Sequence, residues 1–524
     1  MSKRILAVVI SVVLICGGWL GISGLPMVVA LVPMLWISGE AEDSRKGWWS
    51  TFWYALIFCV AWNLSTIWWI GYSTPVGPIG ATVASSFLTI VSFMLFHTVS
   101  KKAPKALAYT VLVTAWVACE YLYTIGDFSW PWLLLGNGLS NDIWAVQWYE
   151  YTGLFGGSVW LLLCNISIYE AWRGRSVGGA VRSALFVVVP LVTSAIIYFT
   201  YEEPTEFGSV EVSVIQPNVD CYDKFNGDTK AQQRNLVELL SEVPASSDLV
   251  LMPETSVSGH FWERRINNYN SVRELRDTLA SHLPHATLVA GVTTVIGYNE
   301  GEQTPTARKM RGGGYYDLFN SSVAITADAE REDDGQIHHK ARLVIGVENT
   351  PTIIFKLFSF FVVDLGGIVG QIGRGDKATV FSSGSDVKYA PAICYEGLYG
   401  DFMGGFARGG AQFFAIISND GWWRDTPGHR HLFTMAALRA VEHRRSVARS
   451  ANTGTSGFIT SRGDAIETLG WDKRGVLTQE ISLNSKQTIY TIYGDYIGRI
   501  SLYIAILSLL YYVAYRIKRR NYLD

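Results

Sequence analysis

Two hydrophobic regimes divide the 524-residue chain. Up to Thr200, apolar runs of near-spanning length follow one another: Ile5–Leu20, Leu25–Ser38, Thr51–Ile70, Ile79–Ser100, Ala106–Thr124, Gly153–Ala171 and Ser183–Thr200. About twenty apolar residues cross a bilayer as a helix, so residues 1–201 are expected to form a helical domain of about seven spans. Leu25–Ser38 is short for a span and is expected to tilt little or to pair as a hairpin with its predecessor. The first run follows Lys3-Arg4 as a signal peptide would, but no A-x-A-like site follows it and further apolar runs do. It reads as a retained helix.

The pattern changes at Tyr201-Glu202-Glu203-Pro204. Beyond it, the short runs "VEVSVIQPN", "DLVLMPE", "TLVAGVTTV", "SSVAITA", "KYAPAICYE" and "AQFFAIISND" read as strands, several too apolar to have one face in water. "KAQQRNLVELLSEV" and "HRHLFTMAALRAVEHRR" place apolar residues at helical spacing. Strands buried on both faces with helices between them make an α/β layered domain, here over residues 207–490. A last apolar run predicts a membrane helix over 496–516, followed by a basic tail, 517–524. The stretch from Thr350 to Gly370 is also long and apolar, but Lys356 and Asp364 interrupt it. It is expected not to cross and to form an apolar arm at the outer leaflet.

Charge sets an orientation. Lys3-Arg4, Arg45-Lys46, Lys101-Lys102-Lys105 and Arg173-Arg175-Arg182 fall in alternate loops, while Ser23–Gly24, Gly71–Pro78 and Ile125–Thr152 contain no Lys or Arg. The positive-inside rule then puts both termini in the cytoplasm and the polar domain outside it. A net charge of −2 gives no basic footprint for nucleic acid. Six cysteines without CxxC pairs indicate no zinc ribbon or dithiol motif, and the nine histidines form no HExxH. No cofactor or metal is expected. Adjacent His338-His339 read as surface or interface residues. Trp48-Trp49, Trp68-Trp69 and Trp130-Trp132 read as interfacial anchors. Glu120, near the end of a membrane run, either caps that helix or supports a site.

The candidate chemistry gathers at strand ends. "LVLMPETS" delivers Glu254, "ICYE" delivers Cys394, "IISNDGWW" presents Asn419 and Asp420, and "IHHKARLVIGVENTP" offers Lys340 and Glu348. Ligand sites of α/β sheets form where strands open into loops. A cysteine nucleophile there needs a base for its proton, and an ammonium can stabilise both a thiolate and the oxyanion that follows. Cys221, after the first strand, is expected to stay free, because a bridge to Cys394 would consume the nucleophile.

Glu254 in "PETS", Lys340 in "HHKARLV" and Cys394 in "ICYE" resemble the Glu-Lys-Cys triad of the nitrilase (carbon–nitrogen hydrolase) superfamily. "SNDGWWRDTPGHRHLFTMAALRAVEHRRSVARSANTGTSGFITSRG", "QPNV", "LFNSSV" and, in the membrane half, "FSWPWLLLGNGLSNDIWAVQWYEYTGLFGGSVW" resemble the bacterial apolipoprotein N-acyltransferase family. That resemblance implies a nitrilase-like α-β-β-α domain and a two-stage acyl transfer in the bacterial inner membrane. Cys394 would take an acyl chain from a phospholipid and pass it to the N-terminal amine of a diacylglyceryl apolipoprotein. Glu254 would be the base, and Lys340 with the Tyr395 N–H would hold the oxyanion. Glu348, Glu396, Asn320 and Asn419 would support the site, and Phe225, Trp422, Phe358 and Phe361 would contact substrate. Two departures stand out. "LVIGVE" replaces the family's "LVPFGE" before Glu348, and Lys224-Phe225 replaces Lys-Trp. A membrane-anchored amidase using water, or a non-catalytic scaffold or transporter with a degenerate nitrilase domain, are the competing readings. A small-amide hydrolase needs one anchor at most, whereas a lipid donor needs an entrance at the bilayer, and retention of Glu254, Lys340 and Cys394 argues against the non-catalytic reading.

Overall fold

A computed structural model describes residues 3–126, 129–222, 224, 227–349 and 372–521. The chain divides into two compact units, one of residues 1–201 with 493–524 and one of 202–492.

The first unit is helical. Helices occupy every apolar run of the N-terminal region, with Lys3–Cys16, Arg45–Ile67, Gly77–Lys102, Lys105–Leu122 and Val177–Thr200 each continuous and Tyr149–Gly174 kinked at Gly153. Five helices among the described residues are long and apolar enough to cross a membrane, the last being Tyr496–Arg520. The short second run is broken into Met27–Ala30 and Val32–Glu40. Asn165 spans the break, accepting from Leu31 N at 2.7 Å and donating to Met27 O at 2.8 Å. Backbone groups freed inside an apolar region need such partners. Val177–Thr200 leaves Val177, Val181, Leu185, Val189 and Phe199 exposed, the surface a lipid-facing helix presents.

One expectation fails here, and one of the two readings left open for Glu120 falls away. Trp69 and Trp132 are not interfacial anchors. Both are about 1% exposed, with ring centroids 5.0 Å apart, and Trp132 O accepts from Trp19 Nε1. Glu120 is not a cap at the interface. It is buried and accepts from Leu135 N at 2.7 Å and Trp116 Nε1 at 3.1 Å, holding the loop after its own helix.

The second unit is built on two sheets. Strands β1 (Ser209–Gln216), β2 (Leu249–Leu251), β3 (His260–Trp262), β4 (Thr287–Tyr298), β5 (Arg308–Lys309), β6 (Tyr315–Thr326) and β7 (Ile337–His339) belong to the first. Strands β8 (Phe381–Ser382), β9 (Lys388–Ile393), β10 (Phe413–Ser418), β11 (Val447–Ala451), β12 (Ser456–Ile459) and β13 (Ala465–Leu469) form the second. Strand β14 (Gly475–Ser482) returns to pair antiparallel with β1. β1, β2 and β4 run parallel, as do β9, β10 and β11, and all six are largely buried along their length.

Helices Thr229–Ser241 and Asn270–His282 cover the outer face of the first sheet through Leu236, Leu239, Val272, Leu275 and Leu279. Asp228 caps the former, accepting from Lys230 N and Ala231 N. Helices Gly400–Arg408 and Pro427–His443 pack on the second sheet. Thr426 and Pro427 start the latter, a hydroxyl cap followed by a residue whose missing N–H costs nothing at that position. The inner faces meet through small hydroxyl residues. Ser322 of β6 donates to Pro391 O of β9 at 3.0 Å, and Ser450 of β11 to Ile215 O of β1 at 2.7 Å. The result is an α-β-β-α sandwich.

Candidate active site

Glu254, Lys340, Cys394 and Asn419 sit where a strand ends or close beside such an end. Glu254 follows β2 by three residues, Lys340 follows β7, Cys394 follows β9 and Asn419 follows β10. Parallel neighbours β9 and β10 release their chains at the same edge, so their terminal residues converge. Cys394 opens the 3₁₀ turn Cys394–Leu398 with φ of +48°, a left-handed conformation unusual for a side-chain-bearing residue. A sharp strand-to-helix turn of this kind holds a nucleophile clear of its own sheet.

Lys340 lies between two carboxylates. Its Nζ donates to Glu254 Oε1 at 2.7 Å and to Glu348 Oε1 at 3.0 Å. Asn320, inside β6, donates to the same two oxygens at 2.6 and 2.9 Å. Asn419 N donates to Glu254 Oε2 at 3.0 Å, and Val344 N to Glu348 Oε2 at 2.9 Å. Glu348 is therefore held by the backbone of the "LVIGVE" turn itself. The departure in that motif leaves its carboxylate on Lys340.

Burial and charge pull in opposite directions. Burial alone would push Glu254 up, but Lys340, Asn320 and Lys224 outweigh it and hold the carboxyl below its ordinary value. Burial alone would push Lys340 down, but Glu254 and Glu348 raise it well above its ordinary value. Burial, then the charge of Glu254, push the Cys394 thiol well up, against the opposing pull of Lys340. The resting site is thus a neutral thiol beside an ionised carboxylate and an ammonium. Such a trio can move the thiol proton to Glu254 as the sulfur attacks and can meet a developing oxyanion with Lys340.

Glu396 ties the nucleophile's strand to the lysine's. Fully buried, it accepts from Ala341 N at 2.6 Å and from Ile393 N at 2.8 Å, one residue from Lys340 and one from Cys394. His338 Nε2 lies 3.0 Å from Oε2, the oxygen that also accepts from Ile393 N. His338 is accordingly not a surface residue: it is fully buried, since β7 turns alternate side chains inward and His338 is the inward one. Asp420 is paired with Arg449 through two 2.9 Å contacts, and its charge adds to the upward push on the Cys394 thiol. Tyr395 is buried, its ring 5.5 Å from that of Tyr399. Trp422 is half-buried, with its ring 5.6 Å from that of Tyr222. Phe225, Phe358 and Phe361, and the expected arm from Thr350 to Gly370, lie outside the described residues.

Lys224 is a site neighbour whose contact was not legible in the sequence. Its buried Nζ donates to Glu254 O at 2.8 Å and to Thr255 Oγ1 at 3.0 Å, and burial lowers its pKa to about 8. Only its position after the "QPN" strand hinted at it. Cys221 and Cys394 are both free thiols.

The family model described as carbon-nitrogen hydrolase matches residues 211–490, more than half of the chain. The chain belongs to the carbon–nitrogen hydrolase family. A second model, the apolipoprotein N-acyltransferase N-terminal domain, matches residues 18–167. Among curated relatives, the apolipoprotein N-acyltransferase of Chlorobaculum tepidum is 29% identical over 91% of this chain and 90% of its own length. That of Thermotoga maritima is 24% identical over 93% and 89%. Among solved structures, a nitrilase-superfamily protein of Saccharomyces cerevisiae aligns with 54% of this chain and 93% of its own, at 17% identity and a TM-score of 0.36.

Proposed function

We propose that the protein transfers an acyl chain from a membrane phospholipid, through a thioester on Cys394, to the N-terminal amine of diacylglyceryl-cysteine apolipoproteins. Cys394 Sγ attacks the ester carbonyl while Glu254 takes the thiol proton. Lys340, with the backbone N–H of Tyr395, holds the oxyanion. Collapse breaks the ester C–O bond, and Glu254 returns the proton to the departing lysophospholipid. In the second stage the apolipoprotein amine attacks the thioester, Glu254 accepts its proton, and the C–S bond breaks to restore the thiol. Glu348 keeps Lys340 charged throughout. The catalytic unit lies outside the cytoplasm of a bacterial inner membrane, with both termini inside, as the Lys and Arg distribution supports.

The observation that carries this reading is similarity to apolipoprotein N-acyltransferases along about nine-tenths of both lengths, helical region included. A water-using amidase has the same triad but needs no multi-helix membrane half. Mass spectrometry of the intact chain after incubation with phospholipid tests it. An acyl adduct on Cys394, discharged by a diacylglyceryl peptide amine, is expected. Cys394→Ala, Cys394→Ser and Glu254→Gln should carry none. An adduct discharged equally fast by water alone would favour the amidase.

A further inference from the structure

A cleft of about 450 Å³ opens beside the Lys340 segment, within the second unit. Its walls are Ala341-Arg342, residues 374–378, and one face of the helix Gly400–Arg408. The first wall begins one residue after Lys340, and the helix directly follows the Cys394 turn. Glu396 fastens the two together through Ala341 N. An occupant of this cleft therefore lies against the segments that follow Lys340 and Cys394.

The cleft presents four cations, Arg342, Arg374, Lys377 and Arg408, against two carboxylates, Asp376 and Asp401. Arg408 is occupied, reaching Asp401 Oδ1 at 3.1 Å and Thr491 O at 2.7 Å. Arg374 Nε holds Ala341 O at 2.9 Å. Arg342 is different. Its guanidinium lies over the rings of Tyr399 and Phe402, 5.2 Å from each centroid, and its buried Nε has no hydrogen-bond partner among the described residues. It also sits within the repulsive field of Arg374, which with burial lowers its pKa. A donor left dry and unpaired beside a like charge is costly unless something fills it. Lys377 is exposed and carries no ion pair among the described residues.

We propose that this cleft binds the phosphate group of the acyl donor's headgroup, with Arg342 and Lys377 as its contacts. The inference rests on the acyl-transfer reading above and adds to it a place for the part of the lipid that does not react. An arginine fork and a mobile ammonium suit a phosphate. Asp376 and Asp401 on the same walls oppose a multiply charged anion and so favour a singly charged phosphodiester over free phosphate. Binding energy taken from the unreactive headgroup would position the ester at Cys394.

The test uses the full-length protein in mixed micelles. Arg342→Gln and Lys377→Gln are compared with the unaltered chain for Cys394 acylation by phospholipid and by a phosphate-free p-nitrophenyl ester. Each substitution is expected to raise the half-saturating phospholipid fraction about tenfold, as loss of one charge-assisted hydrogen bond does. The plateau rate and acylation by the ester should not change. Equal losses with both donors, or none with phospholipid, would overturn the cleft. Binding of short-chain phosphatidylglycerol to Cys394→Ala protein, followed by ³¹P line broadening, needs no chemistry. It separates failure of the cleft from failure of the acyl-transfer reading, because lipid that broadens equally with and without Arg342→Gln refutes the cleft alone. Competition by glycerophosphoglycerol supports a headgroup site. Competition by inorganic phosphate alone would make it a free-phosphate site and refute the proposal.

Discussion

Glu254 accepts a hydrogen bond from Lys340 on one oxygen and from Asn419 N on the other, so its protonated form has little room to be stabilised. Its folded pKa is lowered, which means the base is lost only as pH falls below the ordinary glutamate value of 4.5. The same sign applies to stability: this carboxylate's contribution is present above 4.5 and fades as pH drops through the depressed value. Cys394, by contrast, is raised above its ordinary value, so no thiolate forms in the neutral range. The rate of Cys394 acylation is therefore expected to be flat from weakly acidic to weakly alkaline pH, with its acid limb below 4.5. A rise in the ordinary thiol range, near 8.5, would mean that a preformed thiolate attacks and that Glu254 is not the base.

His338 acts at the same scale through Glu396, its Nε2 lying 3.0 Å from Glu396 Oε2. Gln at 338 can present an N–H at similar reach, whereas Leu cannot. His338→Leu is expected to lower the acylation rate at saturating donor about tenfold or more, and to cost about 1–3 kcal/mol for the donor lost from a buried carboxylate. His338→Gln should restore most of the rate. If both variants melt lower yet acylate at the normal rate, Glu396 supports the fold and not the alignment of Lys340 with Cys394. Glu254 and Cys394 were legible at the ends of apolar runs, and Lys340, which follows "IHH", through the resemblance of the three together to a Glu-Lys-Cys triad. His338 was not, because two adjacent histidines look alike in sequence and only strand pairing decides which one faces inward.

Between the elements, Gly291 of β4 decides how close Glu254 can come. A Cβ at this position would meet Pro253 O at 2.5 Å, Thr255 N at 2.5 Å and Glu254 Cα at 2.6 Å, all backbone atoms with no free rotor to move aside. Gly291→Ala is thus expected to push the Glu254 turn off β4. It should destabilise by about 1–3 kcal/mol, as overpacking does, and cut Cys394 acylation at least a hundredfold through the misplaced base. Circular-dichroism melting beside the acylation assay separates the two effects, and a normal rate with a normal melt would show that the turn tolerates the shift. Strands such as β4 and β10 were legible as continuous apolar runs. β11 to β14 were not, because "VARSA" and "GVLTQEIS" mix polar and apolar residues at sheet positions where neither strict alternation nor an unbroken run survives. The helix Asn270–His282 carried its signal in Val272, Leu275 and Leu279, spaced by three and four, within an otherwise polar stretch.

At the scale of the whole chain, the open matter is which side of the membrane each part of the catalytic unit occupies. Glu254 and Lys340 precede the apolar stretch from Thr350 to Gly370, and Cys394 follows it. Ile372 N donates to Glu348 O at 3.3 Å, so the chain re-enters the described fold beside the point where it left. A single crossing between those two residues would have to bring its far end back through the bilayer. Glu348 and Ile372 therefore lie on one side of any bilayer, and Lys356 and Asp364 in the sequence between them make a paired crossing costly. Two exposed positions report the side independently: Glu300 before the segment and Asp386 after it. The six native cysteines are buried or half-buried, which leaves the background quiet. Glu300→Cys and Asp386→Cys are each expected to react with a membrane-impermeant thiol reagent added outside intact spheroplasts. Labelling of both only after lysis would reverse the orientation and leave the triad intact. Labelling of the two on opposite sides would break the triad, because no arrangement could then bring Lys340 to Cys394.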